Sequence, residues 1–356
     1  MRNITEFKLG ELFSGPGGIA CGAHNAKSDD GRFVIKHAWA SDFDPDTCKT
    51  YAKNLCGGDE STVFCEDVRE LDINKLGEID AFAYGFPCNS FSNVGEHKGF
   101  ENEKFGMLYW YGIEVLKKYQ PKWFLAENVS GMRSAGAGEH FKQILKDMED
   151  AGYVLVTNMY KFEQYGVPQT RHRIIIVGIR KDLDKQGIKF RVPSPEPYKN
   201  IDVTAGKALS GIPKDAKNNE IRKLNARVKE RLSYIKPGEN AWNAEMPDEL
   251  RIKTKTKISQ IYRKLDPEKP SYTVTAAGGG GTYMYHWSNE QRELTNRERA
   301  RIQTFPDDYE FVGNYQSVRK QIGMAVPPKG AEVIFNAILN TFAGIEYPWV
   351  EPNMSE

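Results

Sequence analysis

The chain has 356 residues, of which 40% are hydrophobic and 27% are charged, and its formal net charge is +1. This composition excludes a fibrous or disordered chain. The length favours one large domain with a smaller one, because single hydrophobic cores stop growing near about 250–300 residues. The first ten residues lack the apolar run of a signal peptide, and no later stretch approaches the ~20 apolar residues that span a bilayer. We therefore expect a cytoplasmic protein without a membrane partner.

Cysteine usage narrows the kinds of site that the chain can hold. The cysteines are odd in number and lack paired close spacing, which argues against both a disulfide framework and a zinc site. They are Cys21, Cys48, Cys56, Cys65 and Cys88. We expect no metal, and a reactive cysteine must be recognised by its neighbours.

Strand-like and helix-like segments alternate through the first half of the chain, a pattern typical of a doubly wound sheet. The predicted strands are residues 9–13, 34–41, 62–65, 80–84, 123–127, 154–160 and 173–179. The predicted helices are residues 18–26, 45–55, 106–119 and 139–151. The predicted fold class is therefore α/β.

The alternation stops after about residue 180, where prolines and glycines become frequent. Order returns at Thr295, which has the spacing of a capping box with Glu298, and a last helix is predicted over residues 329–343. The predicted domains are a first domain of residues 1–181, a second and smaller domain of residues 182–287, and a return to the first domain over residues 288–356.

A basic cluster lies in the second domain, although the whole-chain charge gives no reason to propose a nucleic-acid partner. Residues 251–270 include the basic residues Arg251, Lys253, Lys255, Lys257, Arg263, Lys264 and Lys269, against Asp266 and Glu268. Such a run is typical of phosphate contacts, and a solvated charged surface explains it too.

A glycine-rich turn, Phe-Ser-Gly-Pro-Gly-Gly at residues 13–18, lies between a predicted strand and a predicted helix. Glycines let the backbone approach a ligand closely, although a tight structural turn explains the pattern equally well. Asp42 ends the second strand, where the ribose hydroxyls of a nucleoside would be held, and Asp67 after the third could accept a hydrogen bond from an adenine amino group. Each aspartate alone is also compatible with a surface or capping role.

A thiol, an acid and two cations are expected at one edge of the predicted sheet. Cys88 follows a strand, Glu127 ends the next one, and Arg171 and Arg173 lie at the entrance to another. A lone cysteine is usually a small buried hydrophobe, and lone charged groups are usually caps or salt bridges. The carboxyl ends of neighbouring parallel strands lie together, so this combination favours a catalytic site.

These residues lie in motifs by which the chain resembles the DNA cytosine-5 methyltransferase family. The motifs occur in family order at residues 13–18, 85–92, 127–129, 169–173, 292–309 and 321–328. The resemblance implies a Rossmann-like methyltransferase sheet with a target-recognition domain, here residues 182–287. It also implies S-adenosylmethionine as cofactor, S-adenosylhomocysteine as product, and double-stranded DNA as substrate.

The resemblance also implies a role for each site residue. Cys88 is the expected nucleophile that adds to carbon 6 of a flipped-out cytosine, and Glu127 is the expected proton donor to ring nitrogen 3. Arg171 holds the base carbonyl and Arg173 orients the cluster. The expected cofactor-binding residues are Phe13, Ser14, Gly15, Gly17, Gly18, Ile19, Asp42, Phe43, Asp67, Val68 and Pro87. The expected DNA-binding residues are Asn89, Ser92, Thr275, Gly278 and Gly279.

Two positions depart from the family pattern. Asn89 follows the Pro-Cys pair where most bacterial members carry glutamine, and Met324-Ala325 replaces the Asn-Ser of the final Gly-Asn-Ser-Val motif. A tRNA cytosine-5 methyltransferase, a catalytically inactive DNA-binding relative and, from the glycine turn alone, a nicotinamide dehydrogenase are the alternatives. We expect a monomeric, nucleoid-associated modification enzyme of a restriction-modification system, with a cognate endonuclease acting separately as a further partner.

Overall fold

The computed structural model describes residues 4–86, 108–129, 137–253, 258–276, 278–279 and 281–354. Pro87, Cys88, Asn89 and Ser92 of the predicted site lie outside the described residues. The chain forms two compact units. The first unit comprises residues 1–161, 172–197 and 330–356, and the second comprises residues 162–171 and 198–329.

The first unit is built on a sheet whose strand order, in the part of the chain described, is β3-β2-β1-β4-β5-β8-β6. Its strands are β1 (Thr5–Leu12), β2 (Phe33–Asp42), β3 (Val63–Cys65), β4 (Ala81–Tyr84), β5 (Trp123–Val129), β6 (Tyr153–Lys161) and β8 (His172–Arg180). The pairs from β3 to β5 are parallel, and β8 runs antiparallel to both β5 and β6. The predicted α/β class with a mostly parallel sheet is confirmed.

The helices of the first unit follow the strands in the predicted order. They are α1 (Gly18–Asn25), α2 (Pro45–Leu55), α3 (Tyr109–Tyr119), α4 (Ala137–Asp150), α5 (Lys181–Lys185) and α10 (Pro328–Ala343), of which α10 begins in the second unit. Helix α2 starts where local chemistry dictates, because the Asp44 carboxylate accepts the Thr47 N–H and Pro45 occupies the first turn. A short antiparallel pair joins β9 (Val192–Pro193) to β11 (Trp349–Val350). None of the described helices is long and apolar enough to cross a membrane.

Glycines allow large side chains to lie flat against the sheet. Gly178 on β8 pairs with Phe124 on β5, and a Cβ at Gly178 would lie 2.0 Å from the Phe124 ring. Gly10 on β1 is covered by the indole of Trp39 in the same manner, at 2.5 Å. Phe124 and Trp39 are buried, so neither ring can move aside into solvent.

We expect Gly178→Ala to destabilise the first unit by about 1–3 kcal/mol, because overpacking forces off-rotamer side chains or a backbone shift. Gly77→Ala is the matched control, since a Cβ there meets only Trp39 Cδ1 at 3.9 Å. Thermal melts of both variants test this prediction. Equal melting temperatures for the two variants would contradict it.

The second unit has its own elements and its own hydrophobic cluster. The strands β7 (Gln169–Thr170) and β10 (Ser271–Tyr272) pair in parallel. The helices are α6 (Ala205–Leu209), α7 (Ala226–Ser233), α8 (Asn296–Ile302) and α9 (Tyr315–Met324). The cluster consists of Leu232, Ile235, Ala241, Met246, Leu250, Ile261, Tyr262 and Tyr285.

The boundaries of the two units differ from the predicted ones. Residues 162–171 and 288–329, which the sequence placed with the first domain, belong to the second unit, and residues 182–197, which it placed with the second domain, belong to the first unit. Buried amides explain the difference: Gln169 donates to Gln303 Oε1 at 2.8 Å and accepts the Val274 N–H at 2.7 Å, and Gln303 donates to the Ile322 carbonyl at 2.6 Å. These bonds fasten distant segments into one unit, which composition along the chain does not reveal. Thr295 does form the predicted capping box with Glu298.

The predicted basic cluster is not uniformly a surface feature. Lys255 and Lys257 lie outside the described residues. Lys264 is buried, at 3% exposure, and burial lowers its pKa. Arg263 lies with its guanidinium carbon 4.7 Å from the centre of the Tyr272 ring. Lys264 as the structure places it is therefore not a surface phosphate contact.

Candidate active site

Glu127 and Arg173 form an ion pair at the carboxyl end of β5. The two side chains come from adjacent antiparallel strands, and Arg173 Nε lies 2.8 Å from Glu127 Oε1. Both are nearly buried, with side-chain exposures of 13% for Glu127 and 14% for Arg173. An ion pair so shielded from solvent holds the carboxylate and the guanidinium close together, and the structure thereby brings two of the predicted catalytic residues together.

The residues that precede Cys88 lie at the end of β4, beside the end of β5. Gly85 follows β4 directly, and a Cβ at this position would lie 3.2 Å from Glu127 Oε2. Asn128 is buried, and its Nδ2 donates to the Phe86 carbonyl at 3.0 Å. Sequence reasoning noted Asn128 as part of a motif without giving it a role. Its hydrogen bond fixes the main chain two residues before the predicted nucleophile.

Arg171 has a structural environment that the sequence did not predict. It lies in the second unit and is 1% exposed. Its Nη1 donates to the Val274 carbonyl at 3.0 Å and its Nη2 to the Gly323 carbonyl at 3.2 Å. These bonds orient the guanidinium and tie β7 to the segment before Thr275 and to the end of α9.

The final motif also has a packing role. A Cβ at Gly323 would lie 2.2 Å from the Ala276 nitrogen and 2.3 Å from the Thr275 carbonyl carbon, so only glycine fits there. Met324, at the position where the family carries asparagine, is 44% exposed. The glycine of this motif is therefore required by the backbone that carries Thr275, one of the predicted DNA-binding residues.

The glycine-rich turn follows β1 at the carboxyl edge of the sheet. Phe13, Gly15 and Gly17 have positive φ angles of 54°, 56° and 88°, and the space where a Cβ of Gly15 would project is open. Asp42 braces the turn: its Oδ2 accepts the Gly15 N–H at 3.0 Å and its Oδ1 accepts the Asp44 N–H at 3.1 Å. Burial raises the pKa of Asp42, and these backbone N–H groups oppose the shift.

Other predicted cofactor-binding residues differ in their accessibility. Phe43 is a large hydrophobic side chain that is 62% exposed immediately after β2. Asp67 is paired with Arg69, whose side-chain hydrogen bonds lower the pKa of that carboxyl to about 2. By contrast Ser14, Gly18, Ile19 and Val68 are buried. An exposed aromatic ring, an ionised carboxylate and an open glycine turn at one sheet edge fit an adenosine group.

A buried polar chain beneath this edge escaped sequence reasoning. The Tyr51 hydroxyl donates to Glu11 Oε2 at 2.6 Å, and His37 lies 3.1 Å from that hydroxyl through Nδ1 and 2.8 Å from Thr62 Oγ1 through Nε2. Glu11 is 1% exposed, and burial raises its pKa to about 8. The available signal was an acidic residue in the otherwise apolar predicted strand of residues 9–13.

We expect Glu11→Gln to stabilise the protein at neutral and alkaline pH. Because the pKa of Glu11 rises from 4.5 to about 8 on folding, the native state holds a proton that the unfolded chain loses. Stability therefore falls as the pH rises from about 4.5 to about 8, by on the order of 3 kcal/mol at pH 7. The neutral amide avoids that cost, so the melting temperature of the variant should exceed wild type at pH 8 and approach it at pH 5.

Glu6→Gln, on an exposed position of the same strand, is the control for this prediction. It should not change the difference between pH 5 and pH 8. A Glu11→Gln variant that is less stable than wild type by the same amount at both pH values would contradict a protonated Glu11.

The described part of the chain contains no group of three or more His, Cys, Asp or Glu side chains that could hold a metal ion. The sheet edge of the first unit thus offers a carboxylate paired with an arginine, a glycine turn and an exposed aromatic ring. These groups suit proton transfer and nucleoside binding.

Comparisons with known proteins agree over nearly the whole chain. A family model described as C-5 cytosine-specific DNA methylase matches residues 7–340. The Type II methyltransferase M.BbvI of Brevibacillus brevis is 56% identical over 355 residues, which cover 96% of this chain and 93% of the relative. The Type II methyltransferase M.NgoFVII of Neisseria gonorrhoeae is 39% identical over 348 residues, with coverages of 94% and 87%.

Solved structures show the same fold. A DNA modification methyltransferase encoded within an Escherichia coli prophage aligns with a TM-score of 0.70 at 23% identity, covering 94% of this chain and 99% of that one. The Dnmt2 methyltransferase of S. pombe aligns with a TM-score of 0.61 at 15% identity, with coverages of 94% and 99%. The family model spans most of the chain, and the bacterial relatives match it almost from end to end. The chain belongs to the C-5 cytosine-specific DNA methylase family.

Proposed function

We propose that this protein is a site-specific DNA methyltransferase that modifies carbon 5 of a flipped-out cytosine through a covalent bond from Cys88. The observation that carries the proposal is the Glu127–Arg173 pair beside Gly85 and the Asn128-anchored Phe86. In that arrangement the Glu127 carboxylate lies beside Gly85, which precedes Phe86 and the Pro87-Cys88 pair in the sequence. Family membership supplies the reaction class.

S-adenosylmethionine, when bound, would supply the methyl group and leave as S-adenosylhomocysteine. Phe13, Gly15 and Gly17 would let the turn approach it, Phe43 would cover the adenine, and Asp42 and Asp67 would accept hydrogen bonds from the adenosine. Asp42 retains acceptor capacity because each carboxylate oxygen can accept more than one hydrogen bond. Ser14, Gly18, Ile19, Val68 and Pro87 would shape the same edge.

The chain's own residues would activate the base. The Cys88 thiolate adds to carbon 6 and forms a carbon–sulfur bond, and Glu127 donates a proton to ring nitrogen 3 as electrons move toward it. Carbon 5 then becomes nucleophilic and accepts the methyl group. A base removes the carbon 5 proton, the carbon–sulfur bond breaks and restores the thiolate, and ring nitrogen 3 returns its proton to Glu127. By family resemblance Arg171 would contact the base carbonyl through the second N–H of an Nη group, while the Val274 and Gly323 carbonyls orient its guanidinium. Arg173 would hold Glu127 through their ion pair.

The second unit would select the target. Phosphate contacts position a protein on DNA and base-edge contacts specify sequence, so substitutions within the predicted target-recognition domain of residues 182–287, of which residues 198–287 lie in the second unit, should change which cytosines are modified. Asn89, Ser92, Thr275, Gly278 and Gly279 would contact the DNA around the flipped base. We further propose that the protein is a monomer that acts on the nucleoid in the cytoplasm, and that a cognate endonuclease acts separately.

Bisulfite sequencing of DNA from a host that expresses the protein tests the proposal. We expect methylated cytosines within one short sequence context. A duplex with 5-fluorocytosine at that position should then form a denaturation-resistant adduct that requires S-adenosylmethionine, because fluorine cannot leave in the step where a proton normally does. A peptide map that placed the DNA on Cys65, or methylation of tRNA in place of DNA, would overturn the proposal.

A further inference from the structure

An arginine cluster in the second unit has more positive charge than its carboxylate can neutralise. Arg299 on α8 and Arg319 on α9 are both buried, with exposures of 2% and 6%, and Arg222 lies beside them at the surface. The carboxylate of Glu293, 3% exposed, is within electrostatic range of all three. Three guanidinium groups therefore share one buried carboxylate.

The buried arginines also have unused hydrogen-bond donors. Nε and Nη1 of Arg319 and Nε and Nη2 of Arg299 are shielded from solvent and have no hydrogen-bond partner within the described part of the chain. Burying an uncompensated charge is costly. An anion bound at the open side of the cluster would therefore lower this electrostatic cost.

The open side is formed by Arg222 and Tyr283. The Arg222 guanidinium carbon lies 5.7 Å from the Tyr283 ring centre and 5.8 Å from that of Tyr315. Arg319 approaches the Tyr283 ring to 4.6 Å. Hydrogen bonding from Arg319, and then from Arg222, lowers the pKa of the half-buried Tyr283 hydroxyl. A positive field therefore reaches the surface at Tyr283.

The arginine cluster adjoins both a cleft and Gly278. The cleft is lined by Glu220, Ile221, Arg222, Tyr315 and Gln316. Arg319 Nη2 donates to the Gly278 carbonyl at 3.4 Å, and a Cβ at Gly278 would meet Tyr283 at 2.9 Å. Gly278 therefore lies directly against Arg319 and Tyr283.

We propose that Arg222 and the Tyr283 hydroxyl bind a backbone phosphate of DNA, with Arg319 as a buried positioning residue that supports Tyr283 and Gly278. A guanidinium within cation–π range of two aromatic rings is partly ordered before binding and presents a planar fork that matches phosphate oxygens. The inference rests on the proposed function, because DNA is the polyanionic substrate of the proposed reaction. It assigns phosphate binding to residues outside the basic cluster of residues 251–270.

Salt-dependent binding to a short fluorescent duplex tests this site. Loss of one phosphate contact reduces the slope of log Kd against log salt by about 1 and weakens binding uniformly across sequences. We expect that result for Arg222→Ala, and an unchanged slope for Arg222→Lys, which keeps the charge. Tyr283→Phe should weaken binding about two- to fivefold without changing the slope, because it removes a neutral hydrogen bond. Arg32→Ala, which removes an exposed arginine of the first unit, is the control.

Two results would overturn the inference. A slope for Arg222→Ala equal to that of wild type and Arg32→Ala would make the cluster purely structural. An altered methylated sequence with an unchanged slope would make Arg222 a base-edge contact. The slope is measured on any duplex without turnover, so its outcome is independent of whether bisulfite sequencing supports the proposed methylation.

Discussion

Cys88→Ser should abolish methyl transfer while S-adenosylmethionine binding and DNA binding persist. A serine hydroxyl is scarcely ionised near neutral pH, whereas a thiolate is both populated and strongly nucleophilic. We expect the single-turnover rate to fall by about 10³-fold or more, as for loss of other enzymatic nucleophiles. Transfer of radiolabelled methyl groups to DNA measures the rate, and calorimetry measures cofactor binding.

Cys65→Ser is the matched control, because Cys65 is an exposed free thiol at the end of β3. It should retain wild-type transfer. Near wild-type turnover by Cys88→Ser, or loss of transfer in Cys65→Ser alone, would remove Cys88 from its role. Loss of cofactor binding together with transfer would instead indicate that Cys88→Ser disturbs the fold.

Glu127→Gln should have the second-largest effect. The amide keeps the size of the side chain but cannot transfer a proton to ring nitrogen 3, so kcat should fall by about 10²–10⁴-fold. Arg173 would lose its charged partner, which lies 2.8 Å away, at a stability cost of about 1–3 kcal/mol. Single-turnover kinetics at saturating DNA, with a melt of the same sample, separate the two effects.

Two further variants distinguish proton transfer from positioning. Glu139→Gln changes an exposed carboxylate on α4 that pairs with Lys142, and it should leave kcat unchanged. Gly85→Ala would press on Glu127 Oε2 from 3.2 Å while keeping the acid, so it should reduce kcat less than Glu127→Gln does. A Glu127→Gln enzyme whose kcat matches wild type would exclude Glu127 as the proton donor.

The sequence by itself determined the family and the order of the first unit. Short apolar strands separated by helical periodicity are local signals, and β1 to β6 lie within a few residues of their predicted positions. The family resemblance predicted that Glu127 and Arg173 belong to one cluster, and they meet because β8 runs antiparallel to β5, so that its first residues lie beside the end of β5. The capping box at Thr295 needed only a spacing of three residues.

Tertiary structure decided what depends on contacts between distant segments. Hydrogen bonds from the buried side-chain amide of Gln169 to Val274 and Gln303 join residues 288–329 to the second unit. The Nη groups of Arg171 donate hydrogen bonds to the carbonyls of Val274 and Gly323. Lys264 is buried. The raised pKa of Glu11 and the excess charge around Arg319 arise in the same way, because burial and partners set the energy of a charge. A residue's position in the sequence gives its chemistry, and only the folded chain gives the solvent exposure and neighbours that determine how that chemistry is used.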